Sequence, residues 1–297
     1  MAERNQEMNP ITLPAPGIHY GVSFEDYTAW PAINFSKLKA IYHTASKCKW
    51  EMDHPKVATP AMILGSALHV ATLEPARFDG MFHICPPADG RTSEGKKIIA
   101  DAQIAANGKA LLRSGKDDTS IAEIESLRGM AESIRSRKTA QSFLTATAQN
   151  EVSMLWKDSV TGLMCKGRMD RYCPAFNAFK RPLIIELKKT RCASDWSFAK
   201  DIDSFHYDAQ AACYRSGVVS ITGERPAHVF LCAESEPPFD AQEHMLDDES
   251  QATGDSKYRS MLDRYAECLK TGKWPGYPDQ LNVIRMRNYA INRRNED

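Results

Sequence analysis

The chain has 297 residues, enough to bury a sizeable core, with 42% hydrophobic and 26% charged residues, the balance of an ordinary globular protein. Lysine plus arginine equals aspartate plus glutamate at 38 each, and this zero net charge argues against a purely electrostatic nucleic-acid coat protein. It leaves room for an enzyme in which a basic groove for phosphates sits beside an acidic metal pocket.

No run of eighteen apolar residues occurs, so no transmembrane helix is expected. The opening MAERNQEMNPITLPAPG lacks an apolar core and a small-residue cleavage site, and a cytoplasmic protein is expected. The eight cysteines (Cys48, Cys85, Cys165, Cys173, Cys192, Cys213, Cys232 and Cys268) show no CxxC spacing and no Cys/His cluster. Neither a structural zinc site nor an iron–sulfur cluster is therefore expected, but reduced, mostly buried thiols.

In chain order, residues 1–20 with Pro10, Pro14 and Pro16 read as an extended arm, and NFSKLKAIYH (34–43) as a short helix. Thr59-Pro60 is a helix start, a capping residue with proline at the first helical position, followed by AMILGSALHVATLE up to Pro75. Residues 79–92 read as loop. Polar helices are expected over about 93–112 and 117–138, the second with Ile121, Ile124, Leu127, Met130 and Ile134 on one face. EVSMLW, the turn KDSVTG and LMCKGRMDRY read as a β-hairpin, and Pro182–Lys189 (PLIIELKK) as the clearest strand. A helix at 204–219, strands at 227–233 and 242–246, and a helix at 250–270 complete the order. The expected fold is a single α/β domain: a mainly helical part (21–145), a sheet core (150–247), and a C-terminal helix and tail (250–297).

Along PLIIELKK the side chains alternate, so Ile184, Glu186 and Lys188 share one side and Leu183, Ile185 and Leu187 the other. A carboxylate and an amine thus stand about 7 Å apart along an apolar strand. Asp170 is placed at the end of the hairpin's second arm. If the two strands are neighbours, Asp170 and Glu186 can hold one hard cation such as Mg²⁺, with Lys188 beside it. Such an ion polarises a phosphate and acidifies water. Lys188, its pKa open to depression by burial, could orient or deprotonate that water and offset charge in the transition state. A Glu-x-Lys pair also occurs on ordinary surface strands. His69 alone on a buried helix is equally a core histidine, and Gln210 with Tyr214, one turn apart, is equally the polar rim of a covering helix. Glu151 is either an outer acidic residue of the site or a solvated strand end. Lys166 and Arg168 on one strand face, with Lys189, Arg191 and Lys200 after the apolar strand, form basic clusters suited to DNA or to bulk solvent.

The runs KGRMD, LIIELKKT and YDAQAACYR, preceded by Gly65-Ser-Ala-Leu-His69, resemble the nuclease core of RecE-type exonucleases (exonuclease VIII) and the RecB nuclease domain, within the PD-(D/E)xK superfamily. The resemblance spans roughly residues 18–275. It implies a restriction-endonuclease-like mixed central sheet flanked by helices. It also implies catalytic roles for Asp170, Glu186, Lys188, Gln210 and Tyr214, and Mg²⁺ or Mn²⁺ held through His69, Asp170, Glu186 and Leu187. Ser36 and Lys37, at a helix start that would bind a terminal phosphate, together with Arg168, Lys189 and Arg191, would contact DNA. Gly65 would permit close approach of another backbone beside His69. The implied activity is 5′-to-3′ digestion of linear double-stranded DNA ends, leaving 3′ single strands for a single-strand annealing recombinase. A ring-shaped homo-oligomer, tetrameric in the family, and a phage or prophage recombination setting go with it. Met169 stands where the motif's name has proline, which supplies no ligand, and Glu186 lengthens the acidic arm by one methylene. The alternatives are a superfamily nuclease for single-stranded or branched DNA, or a non-catalytic DNA-binding module of the same fold.

Overall fold

The computed structural model describes residues 13–54, 57–115 and 123–284. Most of the expected N-terminal arm, the start of the expected helix from 117 with Ile121, and the tail from residue 285 lie outside these residues. The chain runs β1 (Gly17–His19), α1 (Phe24–Ala29), β2 (Ile33–Asn34) and α2 (Phe35–Leu38), which continues through a 3-10 turn at Lys39–Tyr42 into α3 (Ala45–Asp53). Then come α4 (Pro60–Leu73), α5 (Phe78–Met81), β3 (Phe82–Cys85), α6 (Ser93–Ala106), β4 (Ala110–Arg113), α7 (Glu123–Ser136) and α8 (Lys138–Leu144). The second half is β5 (Gln149–Lys157), β6 (Met164–Phe176), β7 (Arg181–Thr190), α9 (Asp195–Phe205), α10 (Tyr207–Thr222), β8 (Ala227–Glu234), β9 (Ala241–His244) and α11 (Asp248–Thr271). No described helix is long and apolar enough to cross a membrane.

The expected mixed central sheet is present, in the order β1-β5-β6-β7-β8-β9, with β2 on β6. β5, β6 and β7 pair antiparallel, while β7 and β8 are parallel, as a crossover through α9 and α10 requires. The alternation in PLIIELKK divides the core. Ile184 joins Met154, Trp156, Ala212, Val218, Met261 and Leu262 beneath α10 and α11. Leu183, Ile185 and Leu187 join Leu68, Leu127, Met130 and Ile134 beneath α4 and α7. Each such aliphatic side chain contributes about 1.5–3 kcal/mol of burial energy, so both faces of β7 hold the strand in one register.

Four expectations need correction. The helix from 93 stops at Ala106, because Asn107 and Gly108 both take left-handed backbone (φ 45° and 86°), and β4 follows. The loop at 79–92 contains α5 and β3, and β3 pairs in parallel with β4. The helix expected at 204–219 is two helices, broken at His206, which has a φ of 59°. Asp170 does not end its strand: β6 runs on to Phe176.

Candidate active site

The site forms where the sheet splits. β6 and β7 pair from Phe176/Arg181, through a register shift before Cys173/Leu183, to Arg171/Ile185, and there the ladder stops. Beyond that level β7 continues along β8, while β6 pairs with β5 and takes β2 against Cys165 and Lys166. Asp170 and Glu186 stand at the fork. Asp170 Oδ2 accepts the freed Leu187 N–H at 2.8 Å, and the Asp170 N–H points at Glu186 Oε1 at 3.4 Å. The two carboxylates therefore belong to adjacent strands, as the spacing suggested.

Glu151 reaches the same level from β5 through an irregularity. Val152 and Met169 pack under α10 and α11. Asn150 and Arg171 instead bond toward the α4 side, to the carbonyls of Leu73 and of Phe143, Leu144 and Ala146. The alternation of both strands slips at Glu151 and Asp170, and Glu151 takes a φ of 52°. That conformation costs a residue with a Cβ about 1–2 kcal/mol, and the surrounding ladder enforces it.

His69 comes from α4, whose N-terminus is capped by Thr59 Oγ1 on the Met62 N–H, with Pro60 in the first turn. Its Nδ1 lies 3.3 Å from Asp170 Oδ1, and its Nε2 meets the Leu187 carbonyl at 3.2 Å. With Nε2–H on that carbonyl, the ring turns Nδ1 toward the carboxylate cluster. Ligand atoms of His69, Glu151 and Asp170 all lie within 4.8 Å of one another. His69 and Glu151 each keep 26% of the side chain exposed, so the group is open to solvent on that side. Glu151, read from the sequence as an outer acidic residue or a solvated strand end, thus lies with His69 and Asp170. Leu187 reaches the cluster by its backbone alone, since its side chain is buried beneath α4.

Glu186 instead serves the lysine. Lys188 Nζ donates to Glu186 Oε2 at 3.1 Å and to Gln210 Oε1 at 3.1 Å, and lies 4.7 Å over the Tyr207 ring. Gln210 in turn donates to the Tyr214 hydroxyl at 3.3 Å, so the Gln210–Tyr214 pair does support Lys188. Gly167 makes room for this arrangement, because a Cβ there would sit 3.2 Å from the Tyr214 ring and closer still to the Met154 methyl. Tyr207, beneath the ammonium, had no assigned role. The signal for it was its place one residue before the Asp-Ala-Gln run.

The charges are tightly linked. Burial raises Glu186, and Asp170 beside it raises it further, to about 7. Burial opposes protonation of His69, but the Asp170 carboxylate outweighs it and pushes the imidazole up to about 9. Asp170 itself is held below the usual carboxylate range: burial works against this, and His69 and Lys188 outweigh it. Burial and Asp170 raise Glu151. For Lys188 the expected depression is reversed. Burial does lower it, but Glu186 and Asp170 outweigh burial and raise it, so these carboxylates favour the ammonium form.

The basic residues divide. Ser36 and Lys37 are exposed on the short α2, Lys189 is half-buried near the end of β7, and Arg191 is exposed just beyond it. Arg168 is committed internally, to Glu151 Oε2 at 2.8 Å, Ser153 Oγ and the Val22 carbonyl. Lys166 is 1% exposed and donates to the carbonyls of Tyr27, Thr28 and Trp30, so it anchors the α1 end and faces no groove. Gly65 has nothing within 4 Å of its Cβ position, so the expected close backbone approach is not found among the described residues.

A family described as a PDDEXK-like domain of unknown function (DUF3799) matches residues 34–287. The chain belongs to that family. The match covers every residue of the constellation just described, and it places this PDDEXK-like chain at the level of the PD-(D/E)xK superfamily without singling out the RecE type. A crystal structure of a protein from Eubacterium rectale, provisionally described as an exonuclease, is similar over 92% of this chain and 98% of its own at 14% identity, with a TM-score of 0.59. At that identity the likeness is one of fold. A second structure, titled SSO0001, covers 77% of this chain and 84% of its own at 15% identity with a TM-score of 0.27, too low to bear on the fold. No curated protein matches the chain.

Proposed function

We propose that this PDDEXK-like chain is a metal-dependent exodeoxyribonuclease that hydrolyses DNA phosphodiester bonds. On this reading it works 5′ to 3′ on linear duplex DNA and leaves 3′ single-stranded tails for recombination. The observation that carries the reading is the meeting of His69, Glu151 and Asp170 within 4.8 Å, beside the ion pair of Lys188 and Glu186 at 3.1 Å. Two carboxylates and an imidazole, with no thiolate among them, suit Mg²⁺ or Mn²⁺. A divalent ion held there supplies Lewis acidity toward a phosphate oxygen and charge against the negative charge that grows during hydrolysis.

The chain's own groups have separable tasks. Lys188, held as an ammonium by Glu186 and aimed by Gln210 and Tyr207, donates to a non-bridging phosphate oxygen as charge builds on it. Glu186, near 7, is matched to accept a proton at neutral pH. Asp170 fixes His69 and the Leu187 N–H, so the metal side of the site is organised before substrate arrives. Exposed Lys37 and Arg191, with Lys189, supply charge for the DNA backbone. The likeness to RecE-type enzymes further supports a ring-shaped, tetrameric assembly and a single-strand annealing recombinase that takes the tails.

The test compares wild type with Lys188→Ala on end-labelled linear duplex DNA, with Mg²⁺ and with EDTA, beside closed circular and single-stranded DNA. Wild type should digest the linear duplex only with metal, spare the circle, and lose activity with Lys188→Ala. Equal digestion by the mutant would remove the mechanism. DNA shifted but never cut would point to a non-catalytic binding module.

A further inference from the structure

Aromatic rings continue outward from the catalytic lysine. Tyr207, beneath the Lys188 ammonium at 4.7 Å, packs on Phe205 with ring centroids 5.5 Å apart. Phe205 closes α9 with 51% of its surface exposed. Between the two, His206 takes the left-handed conformation (φ 59°) that residues with a Cβ rarely adopt, and this breaks the helix. The His206 ring meets Tyr42 at 4.2 Å and His43 at 6.1 Å. Its buried Nδ1 has no hydrogen-bond partner among the described residues, so ring contacts hold the imidazole. Tyr42 is 47% exposed. Phe205 thus reaches the lysine of the site through Tyr207, and the half-exposed Tyr42, from a segment far away in the chain, packs on His206 between them in sequence.

Large aromatic faces next to a phosphate-handling cation suit one kind of ligand. Every nucleobase has a π-face, and stacking on an aromatic side chain is tolerant of sequence. Bases inside a duplex already have both faces covered by their neighbours, so such a shelf takes only bases that have left the stack. We propose, resting on the nuclease reading above, that Phe205 and Tyr42 stack unpaired nucleotides of the strand whose phosphate reaches Lys188. The substrate form that the site takes is then single-stranded DNA or the frayed end of a duplex.

The experiment uses the full chain with Ca²⁺ in place of Mg²⁺. It measures binding of three substrates: a single-stranded oligonucleotide carrying 2-aminopurine near one end, a blunt duplex, and a duplex with a short unpaired end. Tyr42→Ala and Phe205→Ala should each weaken single-strand binding by about tenfold and abolish the quenching of 2-aminopurine. Phe205→Trp should retain both. The blunt duplex should lose less than either unpaired form, and relief of the defect by the unpaired end would identify fraying as the source of the strand. Both side chains are half-exposed, and thermal melts will show that the variants fold. If the alanine variants bind and quench as wild type does, while wild type cleaves DNA with Mg²⁺, the shelf is overturned and the nuclease reading stands. If wild type cleaves no form of DNA with Mg²⁺ or Mn²⁺, both are overturned.

Discussion

Asp170 Oδ2 accepts the Leu187 N–H at 2.8 Å at the level where β6 and β7 stop pairing. The carboxylate thus replaces a ladder partner and remains available to His69, which ties the geometry of the candidate site to the fork in the sheet. Asp170→Asn keeps an acceptor for that N–H and removes the charge. Activity on linear DNA should fall by about 10²-fold or more. The Tm should also fall, because His69 and Lys188 lose the carboxylate charge that they hold in its ionised form. Retained activity with a lowered Tm would make Asp170 a structural cap only.

Glu151 accepts the cost of a left-handed backbone, yet its carboxylate lies with His69 and Asp170. Glu151→Ala should weaken Mn²⁺ binding by about tenfold or more, measured by titration calorimetry. Glu186→Gln should weaken it less, since that carboxylate is turned to Lys188. The opposite ranking would restore Asp170 and Glu186 as the ligand pair.

The turn of the β5–β6 hairpin is locked to α11. Asp158 accepts from Arg259 at 2.8 and 3.2 Å and from the Thr161 N–H and hydroxyl at 2.8 and 2.7 Å. Burial would raise the Asp158 carboxyl, but these partners outweigh it and hold it below 3.8. Because the folded value is the lower one, the stabilisation is fully present above about 3.8 and is lost as pH falls through the folded value. Asp158→Asn should therefore cost about 1–3 kcal/mol at pH 7 in urea unfolding, with the gap from wild type closing below pH 3.8. A gap independent of pH would show that the ion pair is not its source.

Lys166, buried without a carboxylate, satisfies three carbonyls at the end of α1. Lys166→Met leaves those acceptors unpaired and should cost about 3 kcal/mol or more, seen as a lower urea midpoint. A surface, DNA-facing lysine would instead change binding and leave the midpoint in place.

Residues whose roles follow from local pattern were legible. Period-two alternation placed Glu186 and Lys188 together and Leu187 opposite, and the four-residue spacing put Gln210 in line with Tyr214. His69 and Asp170, 101 positions apart in the sequence, were brought together only by resemblance to a known motif. Lys166 and Arg168 read as a solvent-facing basic stripe, because a strand's pattern does not reveal which backbone carbonyls will come to lie against it. The break at His206 was hidden, since the residues on both sides of it are compatible with helix.

The sequence by itself determined the β5–β6 hairpin, the strand β7 with its two-sided burial and its acid–lysine pair, and the helices α4, α7 and α11, because these depend on alternation and spacing within single segments. Only the tertiary structure decided that the Glu151 carboxylate lies with His69 and Asp170 while Glu186 turns to Lys188, that neighbouring carboxylates favour the Lys188 ammonium, and that the Tyr207 ring lies beneath it. Those outcomes depend on cross-strand register, on one left-handed residue in β5, and on the mutual fields of buried charges. Each is a property of neighbours in space.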